Sequence, residues 1–426
     1  MKADIDVASC ALMKNWILWT VLGGAAALGS DAIAAEHVVM VSVDGLRHVA
    51  IEQLVAAGEL KNFARLQAKG AWTHNGRTEY TSTSTVPNHV SMVTSRRIDG
   101  SGGHNYTSNS SPAGATTLHT TKGLYVASAF DVAHDHGLRT AVFRSKSKLI
   151  IIDQSYTAAT GAEDTTGDDD GRGKIDATHY AVANGQAGSL IDLVETELAT
   201  EPVHLSFIHL VDPDSAGHGR RWETQGYLDA VRRVDGYLGR LLNLVENTEP
   251  YAGRTTVILT ADHGGEGQAH SDVSNSENYT IPFYVWGADV PAAADLYALN
   301  QTTRLDPQAG RPDPDATPQP IRNGEIGNLA LHLLGLPPIP GSMINPEQDL
   351  RVDEIDPDKP RIFIRPLPTG QGQIRWTSDS PGVLQRSQHL GSWQDVYQFT
   401  GGHGSTNYWI DDSPRGAIRG FFRLKF

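Results

Sequence analysis

HVVMVSV (residues 37–43) is a run of apolar and β-branched residues that ends abruptly at Asp44-Gly45. Such a run predicts a strand buried on both faces, which is typical of parallel sheets. Val203–Leu210 and Thr255–Thr260 are further runs of this kind, and a helical repeat of apolar residues at Leu228–Val245 separates them. We therefore expect an α/β fold, in which a mostly parallel sheet is flanked by helices and a functional site lies at the carboxyl ends of the strands.

Shorter segments complete the predicted sheet and its helices. Arg139–Phe143 and Ile281–Trp286 are predicted strands, and Pro282 indicates that the second lies at an edge of the sheet or begins there. The apolar spacing predicts further helices at residues 51–63, 124–136 and 321–335.

The chain is predicted to have four parts. Residues 1–35 form a signal peptide, residues 36–345 a catalytic domain, residues 346–360 a linker, and residues 361–426 a small module. The last part contains short alternating apolar runs and many turn residues, which favours an all-β structure. The sequence indicates no partner for this module.

The N-terminus resembles a secretory signal. Lys14 precedes the apolar stretch Trp16–Leu28, and Ala32-Ile33-Ala34 fits a cleavage pattern of small residues. The apolar stretch is shorter than the roughly 20 residues that a bilayer span needs, so an uncleaved anchor is the less favoured alternative. We expect a secreted or periplasmic protein without a stable membrane span. The single cysteine, Cys10, lies in the signal, so any metal must be held by Asp, Glu and His.

The net charge of −14 limits the classes of partner. A general nucleic-acid-binding protein needs a basic face that neutralises phosphates, and this composition argues against such a surface. A small phosphate ester is not excluded as a substrate, because bound metal ions would dominate the local electric field.

A segment rich in hydroxyl groups, Thr81–Ser95, contains a candidate nucleophile. Thr85 stands just before Val86-Pro87, and proline is favoured in the first turn of a helix. A hydroxyl at the start of a helix lies in a positive field that stabilises its anionic form. On this segment alone, a plain helix-capping threonine is the simpler interpretation.

Carboxylate and imidazole side chains form the candidate metal ligands. They follow predicted strands or lie in glycine-containing segments: Asp44, Asp214, His218, Asp262, His263 and His270. The four-residue spacing of Asp214 and His218 puts both side chains on one face of a helical turn. Three aspartates and a Thr85 alkoxide would balance two Zn²⁺ ions, with other divalent cations as alternatives. The combination predicts phosphoryl-type hydrolysis.

The motifs around these residues resemble those of the type I phosphodiesterase/nucleotide pyrophosphatase family, within the alkaline phosphatase superfamily. TVPNHVSMVT is similar to the family's TFPNH signature, and the further matches are VSVDGLR, PDSAGH and ADHGG. The resemblance implies one zinc held by Asp44, Thr85, Asp262 and His263, and a second held by Asp214, His218 and His270. It also implies that Thr85 becomes a phosphothreonine and that Asn105 binds a phosphate oxygen.

Two features depart from this family pattern or extend it. The family's nucleotide pyrophosphatases carry a long insertion before the last ligand histidine, whereas His270 follows His263 after seven residues. The distant His403 is therefore an alternative ligand. Lys146 and Lys148 resemble the paired lysines with which phosphonoacetate hydrolases of the superfamily hold a substrate carboxylate, and solvated lysine side chains are the equal alternative.

The sequence thus predicts a secreted zinc-dependent phosphodiesterase or pyrophosphatase-type hydrolase that acts on a small substrate. No arginine stands in a recognisable position to meet the extra charge of a phosphomonoester, which ranks diesters first. A phosphonate or phosphomonoester hydrolase using Lys146 and Lys148 is the alternative within enzymes. A non-catalytic secreted binding protein with a relic site is the alternative from another class.

Overall fold

The computed structural model describes residues 35–167, 171–288 and 290–352, and the shorter segments 362–366, 372–377, 381–387, 393–400, 406–411 and 421–425. The chain divides into two compact units, one of Ala35–Glu354 and one that includes Ile355–Phe426. Residues 1–34 of the predicted signal peptide and part of the predicted linker lie outside the described residues. Among the described residues, none of the helices combines the length and hydrophobicity that crossing a bilayer demands.

The larger unit contains one sheet, which is built from β1 (His37–Val43), β2 (Ala71–Arg77), β3 (Thr140–Arg144), β4 (Ala177–Tyr180), β5 (Leu205–Leu210), β6 (Thr255–Thr260), β7 (Thr280–Gly287) and β8 (Ala294–Asp295). The strand order is β4-β3-β5-β1-β6-β7-β2-β8. Five neighbouring pairs are parallel, and only the two pairs that involve β7 are antiparallel. The predicted mostly parallel sheet is confirmed.

Helices alternate with these strands along the chain. They are α1 (His48–Ala56), α2 (Lys61–Lys69), α3 (Thr85–Thr94), α4 (Leu118–Lys122), α5 (Ala129–Asp135), α6 (Ile150–Tyr156), α7 (Gly188–Thr200), α8 (Asp212–Arg220), α9 (Gln225–Asn247), α10 (Ser276–Tyr279), α11 (Leu296–Leu299) and α12 (Ile326–Leu333). Short 3-10 turns precede α6 and α12, at Ser147–Leu149 and Asn323–Glu325. The apolar repeat at residues 228–245 is the buried face of α9, as predicted.

The two faces of β1 contribute to two separate apolar cores. Val38 and Met40 belong to one core, together with residues of α3, α5 and α12. Val39, Val41 and Val43 belong to the other core, together with residues of α7 and α9. Since successive side chains of a strand point to opposite faces, a strand this rich in valine needs helices on both sides of the sheet.

Three local predictions differ from the structure. The helix predicted at 124–136 is confined to Ala129–Asp135. The apolar positions at 51–63 belong to α1 and α2, which are separated by a turn at Gly58, where φ is +74°. Pro282 lies near the start of β7, as one of the two alternatives had it, but β7 is an interior strand rather than an edge. The neighbouring strand β2 has a bulge between Thr73 and Gly76, opposite Pro282, so the N–H that proline lacks is not required there.

The smaller unit contains β9 (Ile362–Pro366), β10 (Gly372–Thr377), β11 (Gly382–Ser387), β12 (Gln394–Phe399), β13 (Thr406–Asp411) and β14 (Phe421–Lys425). These strands form two antiparallel sheets of three strands, in the orders β13-β10-β9 and β12-β11-β14. Ile374, Trp376, Leu384 and Phe399 form a buried apolar cluster. The predicted all-β module is confirmed for the described strands.

Candidate active site

Three buried carboxylates lie beyond the carboxyl ends of three adjacent strands. β1 lies between β5 and β6 and is parallel to both. Asp44 follows β1 directly, Asp262 lies just beyond β6, and Asp214 lies in the first turn of α8, which begins just after β5. None of the three is more than 3% exposed. The topology of the sheet therefore brings together residues that are far apart in the sequence.

Two aromatic side chains hold the turn after β1. The indole N–H of Trp222 and the hydroxyl of Tyr227 both donate to the carbonyl oxygen of Gly45, at 2.9 and 2.8 Å. Gly45 has a φ of +69°, and a β-carbon at this position would lie 3.0 Å from Cα of Asp214. Glycine is therefore required both by the backbone conformation and by the close approach of the Asp214 segment.

The indole of Trp222 also fills the space between two other segments of the site. Gly217 of α8 and Gly265 of the turn after β6 approach the ring so closely that a β-carbon at either position would overlap it. The side chain of Trp222 is fully buried. One residue thus sets the spacing of all three carboxylate-bearing segments.

Thr85 is the first residue of α3 and follows the extended Ser84. One turn later, Nδ1 of His89 donates to the carbonyl oxygen of Thr85 at 2.7 Å, since a carbonyl oxygen can only accept. Oγ1 of Thr85 lies 3.4 Å from Nε2 of His263 and 3.4 Å from Nζ of Lys146. Because Thr85 is fully buried, its hydroxyl faces this cluster rather than bulk water.

Three histidines present the same ring nitrogen to the cluster. Nδ1 of His218, His263 and His270 lies 2.9, 2.8 and 2.7 Å, respectively, from a backbone carbonyl oxygen. Each Nδ1 therefore carries a proton, and each ring offers a lone pair on Nε2 in its neutral form. Burial lowers the pKa of His263 and His270, whereas the nearby Asp214 raises the pKa of His218. The Nε2 atoms of His218 and His270 lie only 3.2 Å apart, and the rings of His263 and His270 stack with centroids 3.6 Å apart.

Three carboxylate oxygens face these imidazoles without a hydrogen bond. Oδ1 of Asp44, Oδ1 of Asp214 and Oδ2 of Asp262 are buried and accept no hydrogen bond. Nε2 of His263 lies 3.5 Å from the Asp44 oxygen and 3.2 Å from the Asp262 oxygen, and Nε2 of His270 lies 3.8 Å from the Asp214 oxygen. Buried charged oxygens without a partner destabilise a protein strongly unless a cation binds them.

The donor atoms fit a divalent cation. The potential ligand atoms form two groups, and within each group they all lie within 4.8 Å of one another. One group is Asp214, His218 and His270, and the other is Asp44, Asp214 and His263. Unprotonated imidazole nitrogens and carboxylate oxygens are the ligands that zinc takes when cysteine is absent. His270 thus joins the second predicted ligand group, while its alternative, His403, lies outside the described residues.

The electrostatics of the cluster also favour a cation. Burial raises the pKa of Asp262 well above its ordinary value, and repulsion from Asp44 raises it further. Burial also acts to raise the pKa of Asp44, but Lys146 and His209 outweigh it and hold that pKa well below its ordinary value. Burial lowers the pKa of His263 to about 3, which keeps its ring neutral. A bound cation would favour the charged form of Asp262 as well.

Residues 38–280 match the sequence profile of the type I phosphodiesterase / nucleotide pyrophosphatase family. The chain belongs to this family. Among curated proteins it is similar to GPI ethanolamine phosphate transferase 1 of Schizosaccharomyces pombe, with 29% identity over 142 residues, which are 30% of this chain and 14% of the relative. The Mus musculus transferase of the same name is 32% identical over 84 residues, which are 20% of this chain and 9% of that protein. The chain thus spans only a small part of these relatives.

Among solved structures, the chain is similar to two further proteins. Murine ectonucleotide pyrophosphatase/phosphodiesterase 5 is 14% identical, with a TM-score of 0.49. The alignment covers 74% of this chain and 100% of that chain. A protein in the alkaline phosphatase superfamily from Vibrio parahaemolyticus is 11% identical, with a TM-score of 0.46. The alignment covers 85% of this chain and 82% of that chain.

Lys146, in the loop after β3, reaches into the cluster of this family member. Its Nζ lies 2.8 Å from Oδ2 of Asp44 and 2.6 Å from Oδ2 of Asp214. Burial acts to lower the pKa of Lys146, but the attraction of Asp44 and Asp214 outweighs it, so the pKa lies above its ordinary value. The ammonium group therefore stays charged and compensates part of the carboxylate charge.

The structure does not bring the side chain of Asn105 to the cluster. Its amide donates to the carbonyl oxygen of Gly100 at 3.2 Å, and its side-chain oxygen accepts from Lys122. The side chain of Asn109, four residues later, reaches the N-terminus of α3 instead. Its Oδ1 accepts hydrogen bonds from the backbone N–H of Val86 at 3.1 Å and from Nζ of Lys148 at 3.0 Å. Asn109 is thus better placed than Asn105 to meet a group bound at Thr85.

Sequence reasoning also missed His209, whose Nε2 lies 2.8 Å from Oδ2 of Asp44. A signal was available, because His209 is the one charged or imidazole-bearing residue in the strand LSFIHL of residues 205–210. An imidazole in a strand that is buried along its whole length needs a hydrogen-bond partner in the interior. The adjacent strand β1 supplies it through the residue that follows, Asp44.

The variants Gly45→Ala and Gly58→Ala test how the turn after β1 controls the site. Both glycines have positive φ, +69° and +74°, so each alanine lowers the free energy of unfolding by about 1–2 kcal/mol. Only at Gly45 does the added β-carbon press on Asp214, since nothing lies within 4 Å at Gly58. If the cluster holds a divalent cation, we expect Gly45→Ala to lower its affinity about 10-fold or more, with zinc as the probe in chelator competition. Equal zinc affinity in the two variants would contradict this.

Proposed function

We propose that this protein is a zinc-dependent hydrolase of the phosphodiesterase or pyrophosphatase type, with Thr85 as the nucleophile. The observation that carries this proposal is the convergence of three buried, unpartnered carboxylate oxygens and three imidazole lone pairs next to a buried threonine hydroxyl. When bound, two divalent cations would polarise the phosphoryl group and lower the pKa of the threonine hydroxyl.

The residues of the chain itself supply orientation and charge. Ionised Oγ1 of Thr85 attacks phosphorus in line and displaces one alcohol, which leaves with a proton from water. The second ester group stays on the phosphothreonine, and water then hydrolyses the bond to Oγ1 and releases a phosphomonoester. The Lys146 ammonium, 3.4 Å from Oγ1, and the start of α3 both stabilise negative charge on this oxygen. Asn109, whose Oδ1 accepts from Val86 and Lys148, would donate from its Nδ2 to a phosphoryl oxygen.

The charge of the site supports an anionic substrate. Three aspartates and an ionised Thr85 carry four negative charges, while two zinc ions and Lys146 would carry five positive charges. The excess attracts one phosphodiester anion. The intact set of carboxylates, imidazoles and threonine argues against a relic site in a binding protein. We also propose that residues 1–35 direct the protein out of the cytoplasm, for which Trp16–Leu28 is the supporting feature.

A phosphonate or phosphomonoester is the second candidate substrate, and the two lysines favour it. Nζ of Lys146 lies beside Thr85, and Nζ of Lys148 bonds to Asn109 near the start of the same helix. Two ammonium groups on one side of the nucleophile would suit a substrate that carries a second negative charge.

Metal analysis tests the ligand set. We expect about two zinc ions per chain, with turnover abolished by a chelator and restored by zinc. His270→Ala should lose one of the two ions, because it removes a lone pair from the group that also contains Asp214 and His218. The control His136→Ala removes a ring that bonds to Val132 at the end of α5 and should keep both ions. Well under one zinc ion per unmodified chain would refute the proposal.

The Thr85→Ala variant tests the nucleophile. Without Oγ1 no phosphothreonine can form, so turnover should fall by roughly 10³-fold or more, and a labelled phosphoenzyme should no longer be trapped. Thr85→Ser, which keeps a hydroxyl, should retain part of the turnover. Thr94→Ala is the matched control, since Thr94 lies in the same helix and only bonds back to Val90. Substantial turnover by Thr85→Ala would mean that another group attacks phosphorus.

A substrate panel separates the two candidate substrate classes. We expect bis-nitrophenyl phosphate to be hydrolysed faster than nitrophenyl phosphate or phosphonoacetate by the zinc-loaded protein. The opposite order would favour the second candidate. In that case the Lys148→Met variant should lose about 10-fold or more of its turnover of phosphonoacetate relative to its turnover of the diester.

A further inference from the structure

We propose that His209 is a positioning residue, which fixes the oxygen that Asp44 presents to the site. The inference deepens the proposed function and rests on it, because Asp44 is one of the ligands that would hold a divalent cation. His209 itself contacts neither the nucleophile nor any predicted substrate group. Its effect is exerted through the orientation of one carboxylate.

The position of His209 is set by the sheet. It is the penultimate residue of β5, and its backbone pairs with Ser42 near the end of β1. The ring is fully buried and packs edge-on against His89, with centroids 4.9 Å apart. From this position Nε2 lies 2.8 Å from Oδ2 of Asp44, which is two residues beyond Ser42.

The hydrogen bonds around His209 determine its tautomer. The carboxylate of Asp44 can only accept, so Nε2 of His209 carries the ring proton and donates it. Nδ1 of the neutral ring then accepts the backbone N–H of Ser145 at 3.3 Å. The hydroxyl of Ser145 donates its one proton to the carbonyl oxygen of His209 at 2.7 Å, and its oxygen lies 2.9 Å from Nδ1. Ser145 therefore holds the ring at its far edge and fixes its orientation.

This arrangement divides the two oxygens of Asp44 between two roles. Oδ2 accepts from Nε2 of His209 and lies 2.8 Å from Nζ of Lys146. Oδ1 accepts no hydrogen bond and lies 3.5 Å from Nε2 of His263. Rotation of the carboxylate would break the contacts of Oδ2, so Oδ1 stays directed at the imidazoles. Since Lys146 has a long and flexible side chain, the rigid ring in β5 is the more effective restraint.

Zinc affinity measured without substrate tests this role. His209→Leu removes the donor and should weaken zinc binding about 10- to 100-fold in competition with a chromophoric chelator. His209→Gln places an amide N–H near the position of Nε2 and should recover most of the affinity. His119→Leu is the matched control, because His119 is also buried and bonds to Ser155 and Val126 away from the cluster. That control should bind zinc like the unmodified protein.

The outcomes distinguish the inference from the function on which it rests. If the unmodified protein binds zinc and His209→Leu binds it equally well, the positioning role is refuted and the proposed function stands. The positioning role is likewise refuted, with the function intact, if His119→Leu loses as much affinity as His209→Leu or if His209→Gln recovers none. If the unmodified protein binds no divalent cation, the zinc-dependent function is refuted and this inference falls with it.

Discussion

The repulsion between three buried carboxylates is the constraint on which this site depends. Asp44, Asp214 and Asp262 are brought together because their strands are neighbours in a parallel sheet. Water cannot compensate these charges, since the side chains are buried. Lys146 compensates part of the charge through Oδ2 of Asp44 and Oδ2 of Asp214, while the unpartnered oxygens face imidazole rings. This arrangement supports the proposed binding of divalent cations.

The parts of this arrangement that follow from strand ends were predictable from the sequence. A valine-rich run that stops at an aspartate predicts both a buried strand and a polar residue at its carboxyl end. Parallel order then puts such residues at one edge of the sheet. Asp44, Thr85, Asp214 and Asp262 accordingly lie near His263 in the structure, while their roles as ligands and nucleophile stay predictions.

Features that depend on loop conformation were not predictable in this way. Asn105 and Asn109 lie in one irregular segment, and only the fold shows that the first is held by Lys122 while the second reaches the start of α3. The interior position of Pro282 was equally hidden, because the bulge that accommodates it lies in another strand, β2. Spacing along the chain carries little information where the backbone is not periodic.

The position of Trp222 has a consequence for how the sequences of related proteins can diverge. Its indole packs against Gly217 and Gly265 and donates a hydrogen bond to the carbonyl oxygen of Gly45. The space for side chains at positions 217 and 265 is therefore already filled by the indole. A larger residue at position 217 or 265 is compatible with this fold only if the residue at position 222 becomes smaller in the same lineage. Substitutions at these sites should therefore covary, even though position 222 belongs to none of the recognised motifs.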